Sequence, residues 1–535
     1  MDGVPRLVDL CMAAIADELL GGHLTSGIAL NMLIITVEIV ENEEGWEERY
    51  GILDAAWEAL YKVRWPCFSE AKQSVDGILE HIGCKGHLIK LTPDYLKFSN
   101  HCQQFGVYAR QLRLPNALCV AETCDLLQNS KLGSLELQWI KSNDHVEGLC
   151  KLLNQNSETL KSVDFIHCKL SPAFVSAICD SLHIKGLRAH GVENFSIKRS
   201  SFLQTDSSPV PVGLTSFLTS GRSLHSVMLC DDQLGRNFAR VIFNSLLDSA
   251  ASISMLDLSE NNIAGFLSHF RWRSSSCSLG SGKSLKSLRV LNLRCCNLVR
   301  EDADCLKQAL VHMPNLQNLD LSDNSFEDGI RSLISYFREI SGRDLPFSDL
   351  MLENCELTCN QVIELLVVIS TMKKPLNLLS IKGNRLGSEI GAPFGKFLCT
   401  GVRAVDVEDI GLGSSGFLEA LREISTELKI AYINISNNQG GIEAANFMSS
   451  IISHSQKIVA IGARYNLMPM ESLSVISSGM KASKGKLKHL DLAGNSFCDQ
   501  LADAASILAE LQIHGQGALS LSLWAAPSAP YDDDP

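Results

Sequence analysis

From residue 131 onward, hydrophobic and polar positions recur in one arrangement: two apolar residues three apart, a third two further on, then a small or amide residue and another apolar one. Ile253, Leu256, Leu258, Asn261 and Ile263 form one copy, and Leu288, Leu291, Leu293, Cys296 and Leu298 the next. Leu316, Leu319, Leu321, Asn324 and Phe326 form a third. Later copies put their key residue at Cys355, Asn384, Ile410, Asn438, Asn466 and Asn495, and earlier ones at Cys168 and Asp232. Two degraded copies read Leu132, Leu135, Leu137 and Ile184, Leu187, Ala189. Apolar residues at alternate positions predict a short strand burying one face. An Asn or Cys just beyond it suits the backbone groups freed where the chain turns. Between copies, Leu306, Ala309, Leu310 and Met313, and then Ile330, Leu333, Ile334, Phe337 and Ile340, fall at helical spacing and predict helices.

The key positions mostly lie 26 to 31 residues apart, with one longer step from 261 to 296. That step holds RWRSSSCSLGSGKS, residues 271–284, which reads as a polar surface loop. A strand-plus-helix repeat buries its apolar face only against its neighbours, and helices are wider than strands. The expectation is an α/β solenoid, a horseshoe with a parallel inner sheet and outer helices. It comprises about 12 repeats over residues 131–524, a helical N-terminal domain over 1–130 and an acidic tail over 525–535.

The period and the alternation Asn261, Cys296, Asn324, Cys355, Asn384 resemble the ribonuclease-inhibitor-like leucine-rich repeats. Ile410 and Asp232 depart from that pattern at the key position. The resemblance implies a non-enzymatic module that holds another protein, and it leaves the partner open.

Charge and cysteines narrow the classes. A net charge of −13 argues against nucleic acid as the main partner and against an anionic membrane surface. No span is apolar enough for a bilayer, and MDGVPRLVDL does not read as a secretory leader, so cytoplasm or nucleus is expected. The 18 cysteines then read as buried thiols; no Cys-x-x-Cys or His-Glu-x-x-His occurs. Gly280, Gly282, Lys283 and Ser284 echo a phosphate loop, but its first glycine is replaced by Cys277. No catalytic group, metal, cofactor or small-molecule site is expected.

The first residues follow another pattern. Leu7, Leu10, Cys11, Ala14, Ile15 and Leu19 share one helical face. Leu7, Cys11 and Ile15, four apart, resemble the BC box by which substrate receptors bind Elongin C and through it a cullin ubiquitin ligase. A capping helix with Cys11 in its core is the competing reading, and Leu291, Cys295 and Val299 repeat the spacing inside a strand and turn. Arrays of this kind also serve as chromatin or histone-binding scaffolds and as Ran-type GTPase-activating regulators, and both stay open.

The residue between the paired apolar positions of each strand is expected on the concave side. These are Asp257, Asn292, Asp320, Met351, Ser380, Asp406, Asn434, Gly462 and Asp491. The four acids, with no base among them, form a negative stripe suited to a basic segment of a protein partner.

Overall fold

A computed structural model describes residues 88–90, 110–114, 127, 129–140, 146–184, 189–202, 211–248, 252–268, 283–482, 487–497, 507, 509, 511 and 520–523. The chain divides into two compact units, Met1–Gln204 with Pro209–Leu224, and Thr205–Ser208 with His225–Pro535. The candidate adaptor residues Leu7, Cys11 and Ile15, most of the 271–284 loop and the 525–535 tail lie outside the described residues.

In the first unit, β1 (Leu88–Lys90), β2 (Gln111–Leu114), β3 (Ser134–Gln138), β4 (Ser162–Ile166) and β6 (Asn194–Lys198) pair in that order, all parallel. Parallel neighbours require crossovers, and α1 (Val146–Asn156) and α2 (Pro172–Ser181) supply the two that follow β3 and β4. A short second ladder joins β5 (Lys169–Leu170) to β7 (Ser201–Phe202), and α3 (Val212–Ser220) follows.

Two expectations shift here. β1 and β2 lie before residue 131, so the parallel sheet reaches back into the stretch assigned to the helical domain. The repeat after β4 also shifts from the degraded copy read at Ile184, Leu187 and Ala189: the strand that pairs with β4 is β6, where Phe195 pairs with Val163 and Ile197 with Phe165. The key residue there is Ser200, whose Oγ accepts from Cys168 N at 3.0 Å. A hydroxyl does the work of an amide, so a pattern limited to Asn and Cys passes over it.

His190 is buried in this unit, 3% exposed, with its ring stacked on Phe217 at 3.8 Å. Its Nε2 donates to the Phe217 carbonyl at 2.9 Å. Burial pushes its pKa down to about 4, against a raising contribution from that carbonyl and a lowering one from His183. The folded state therefore refuses a proton that the unfolded chain takes up near 6.5. Stability is full above that value and falls as the pH drops toward 4. Urea unfolding should show this unit about 2 kcal/mol less stable at about pH 5 than at about pH 7. That difference should vanish in His190→Gln.

The second unit repeats one motif. Its strands β8 (Ser226–Cys230), β9 (Met255–Asp257), β10 (Val290–Asn292), β11 (Asn318–Asp320), β12 (Asp349–Met351), β13 (Leu378–Ser380), β14 (Ala404–Asp406), β15 (Tyr432–Asn434), β16 (Ala460–Gly462), β17 (His489–Asp491) and β18 (Ser520–Ser522) pair consecutively in parallel. Between them run α4 (Arg236–Asp248), α5 (Lys283–Ser287), α6 (Arg300–Leu310), α7 (Ile330–Ile340), α8 (Cys359–Ser370), α9 (Gly391–Leu398), α10 (Gly413–Glu423), α11 (Gly441–His454) and α12 (Glu471–Ala482). From α6 to α12 each helix packs on the next. Leu291, Leu319, Leu350, Leu379, Val405, Ile433, Ile461 and Leu490 align in register and are at most 2% exposed. Each such side chain contributes about 1.5–3 kcal/mol by leaving water. The predicted helix faces hold as well: α7 buries Ile330, Leu333, Ile334, Phe337 and Ile340.

The key residues close the turns. Asn324 donates through Nδ2 to the carbonyls of Leu293, Leu321 and Ser322 at 2.8, 2.9 and 3.0 Å. Its Oδ1 accepts from Cys296 N at 3.0 Å and Leu298 N at 2.9 Å, so one amide ties two repeats together. The Cys296 and Cys355 thiols make only weak donations, to Leu258 O at 3.2 Å and Leu321 O at 3.3 Å. At the apolar key residue Ile410, the backbone carbonyl substitutes, accepting from Leu386 N and Gly387 N. The residue before each key position turns left-handed, as at Glu260, Cys295, Asp323, Asn354, Asp409, Asn437 and Tyr465. Cys295 therefore sits in a turn following β10, which makes the second Leu-Cys-Val spacing a repeat feature.

Candidate interaction face

The inner face of the second unit carries three rows of side chains, because alternate residues of a strand share a side. The middle row is the expected one: Asp257, Asn292, Asp320, Met351, Ser380, Asp406, Asn434, Gly462 and Asp491 stand in register on adjacent strands.

Much of its polarity is turned inward. Asp257 Oδ1 accepts from Ser259 N at 2.9 Å, Asp320 Oδ1 from Ser322 N at 2.9 Å and Asp406 Oδ1 from Glu408 N at 3.0 Å. Asn292 and Asn434 do the same for Arg294 N and Ser436 N. Neighbours then link sideways, Asn292 to Asp257 at 3.0 Å and Asn434 to Asp406 at 3.2 Å. These residues hold the backbone as it leaves the strand. Burial comes first among the influences on Asp320 and Asp406, and it raises both carboxyl pKa values above the usual range.

The row two residues further along supplies the cations that the middle row lacks. Arg294 reaches Asp323 at 2.7 Å and Glu353 at 3.0 Å, Lys382 reaches Glu408 at 2.9 Å, and Arg464 bonds Asp491. Ser380 Oγ adds a bond to Glu353 at 2.7 Å. Burial lifts the Glu408 carboxyl, but Lys382 and the amides of Asn434 and Asn437 outweigh it, leaving its pKa below the usual value. The face is thus a network in which cations lie beside the acidic row, with Asp491 the one acid of that row in an ion pair among the described residues. Arg294, Lys382, Glu353, Glu408 and Arg464 were missed because only the residue between the paired apolar positions was read as inward-facing. Extending the period-two alternation by one step finds them.

The third row precedes the middle one and is less polar. It runs Met255, Val290, Asn318, Asp349, Leu378, Ala404, Tyr432, Ala460, His489. On the turns beyond the strands, a cavity of about 450 Å³ is lined by Asn297, Asp323, Ser325, Asn354 and Glu356 among others. Its polar groups already bond one another, Asn354 to Asp323 at 2.9 Å and Ser325 to Glu356 at 2.8 Å.

Among the described residues no group of His, Cys, Asp and Glu is placed to hold a metal ion. No described helix is long and apolar enough to cross a membrane. The described cysteines are free thiols, and burial pushes the Cys296 and Cys355 pKa values up to about 12.

The Leucine Rich Repeat family matches residues 315–337, which span β11 and most of α7. The fold is accordingly a leucine-rich-repeat solenoid of the α/β class. Among solved structures, a chain of the TLR13–ssRNA13 complex aligns at 16% identity and TM-score 0.41, over 74% of this chain and 55% of that one. This chain thus spans about half of that protein's length. The complex of Rad7 and Elc1 in yeast gives 15% identity and TM-score 0.41 over 88% of this chain and 96% of that one. The leucine-rich repeat-containing protein LegL7 from Legionella pneumophila gives 16% identity and TM-score 0.33, over 58% and 96%. Likenesses this distant do not bear on what the chain binds.

Proposed function

We propose that the chain is a non-enzymatic protein-interaction module whose inner face holds a protein partner, and that its N-terminal helix docks it on Elongin C as the substrate receptor of a cullin ubiquitin ligase. The observation that carries the first part is the in-register inner face, which repeats from β9 to β17 on adjacent parallel strands. Rigid, periodic strands present side chains at fixed spacing, which suits recognition of an extended surface. The second part rests on Leu7, Cys11 and Ile15, which lie four apart on one predicted helical face.

Two measurements test this. Cross-linking of the tagged chain in native lysate should capture a protein, and recovery of nothing beyond a tag-only control would sink the module reading. Leu7→Ala with Cys11→Ala should abolish co-purification of Elongin C. Equal recovery from wild type and double variant would remove the ligase assignment and leave the module reading standing.

The histone-binding alternative draws on the acidic row, of which Arg464 pairs Asp491, while Arg294 and Lys382 pair Asp323, Glu353 and Glu408 beside it. The same peptides of basic sequence that would test that reading are therefore a fair second probe of this face.

A further inference from the structure

Among the described residues, four of the eight exposed large hydrophobic side chains sit on two adjacent repeats: Tyr432, Val459, Tyr465 and Leu467. The other four are scattered singly, as surface apolar residues usually are. Tyr432 stands between Ala404 and Ala460 in register, so nothing beside it in its row shields the ring. Val459 lies one residue upstream on the next repeat, its N–H donating to Ala431 O at 2.8 Å. At the far end of the same strand, Tyr465 lies over Gly494, where any side chain would overlap its ring. Leu467 is 57% exposed beside it. The floor between the two apolar ends is Ala460 and Gly462, the latter lying against the Asn434 amide. The result is a shallow track along β16, apolar at both ends.

The leading edge of this track is basic. Strands β14, β15, β16 and β17 are each preceded by an exposed cation: Arg403, Lys429, Lys457 and Lys488. The ladder Ala431 N to Arg403 O, Val459 N to Ala431 O and Lys488 N to Val459 O sets Arg403 and Lys488 on either side of Val459. None of the four cations makes an ion pair among the described residues, unlike Arg294, Lys382 and Arg464. Glu427 is the exposed acid on the same edge, and the acids that act on the Tyr432 ring, Asp406, Glu408 and Asp491, are bonded to Asn434, Lys382 and Arg464. In a chain of net charge −13 this is a local inversion.

We infer that the track along β16 docks an acidic, extended peptide segment carrying apolar anchors. One anchor packs on Tyr432 and Val459 and another on Tyr465 and Leu467, while the carboxylates meet Arg403, Lys457 and Lys488. This deepens the interaction-module reading and rests on it. Exposed Tyr and Arg are among the residues that concentrate binding energy at protein interfaces, and the lysines add charge at the rim. A nucleic acid fits less well: Val459 and Leu467 are aliphatic and offer a base neither a stacking ring nor a polar contact, whereas they suit apolar peptide side chains.

The test uses the full chain and fluorescently labelled peptides of about ten residues, the length that spans the track when extended. One peptide alternates Glu with Leu and Phe, its counterpart replaces Glu by Lys, and a single-stranded RNA oligonucleotide serves as third probe. Anisotropy should show the acidic peptide binding tightest. Arg403→Glu with Lys488→Glu, and separately Tyr432→Ser, should each weaken it about tenfold or more. Arg289→Glu, an exposed change outside the track, should leave binding unchanged. All the altered side chains are exposed, and circular dichroism melting verifies that each variant folds as the wild type does. Preference for the Lys peptide or the RNA, or equal binding by wild type and track variants, would overturn the inference. The lysate cross-link separates the two levels. A captured partner whose recovery ignores Arg403→Glu with Lys488→Glu sinks only the track, whereas no capture at all sinks the module reading.

Discussion

Asn324→Ala is expected to be among the most destabilising single changes in the second unit, lowering its unfolding free energy by about 4–5 kcal/mol. The side chain is 2% exposed and makes five hydrogen bonds to main-chain groups of two repeats. Alanine leaves the Cys296 and Leu298 N–H groups and the Leu293 carbonyl without this partner in a place water does not reach, and each such group costs about 1–3 kcal/mol. Cys355→Ala, one repeat later in the same structural position, should cost far less. Its thiol makes only weak donations, and Asn384 continues to accept from the backbone N–H of residue 355. Urea unfolding of the two variants side by side decides the matter. Equal losses would mean that the key position works by filling space and not by satisfying backbone groups.

Gly391→Ala combined with Gly395→Ala should cost about 4 kcal/mol, for a steric reason instead of a polar one. These glycines lie one turn apart on α9, against α10. A Cβ on Gly391 would run into the Gly416 carbonyl, and one on Gly395 into that of Ala420. Those obstacles are backbone atoms, so no side chain can swing aside and the helices must separate. Helix propensity alone favours alanine by about 1 kcal/mol per site, so a local view predicts stabilisation. A higher melting temperature for the double variant would show that the helices have room to part. Gly342→Ala, where nothing lies within 4 Å, serves as the comparison.

These two cases mark how far the sequence reaches. Asn324, Asn384 and their equivalents are legible because their role repeats: the same amide recurs at a near-constant interval beside the same apolar pair. The closeness of α9 and α10 is not legible, since Gly391 and Gly395 resemble any small residues of a helix until the neighbouring backbone is in place. The same divide runs through the inner face. Asp257, Asn292, Asp320, Met351, Asp406, Asn434 and Asp491 were found from alternation, and they do align. Their setting depended on Arg294, Lys382 and Arg464, which lie two residues past their strands and pair with acids 26 to 59 residues away.

By itself, then, the sequence determined the repeat, the alternation of strand and helix, and which side chains enter the core, since burying apolar surface at a fixed period admits one local solution. The tertiary structure decided the rest. It placed the sheet strand after β4 at β6, because parallel pairing of Phe195 and Ile197 with Val163 and Phe165 sets the register. It carried the sheet back to β1 and β2, because a strand is recognised by its partner as much as by its pattern. And it set Arg294, Lys382 and Arg464 beside the expected acidic row while leaving unpaired cations around Tyr432 and Val459 among the described residues. Charge pairing depends on distances between strands, and chain order does not encode those distances.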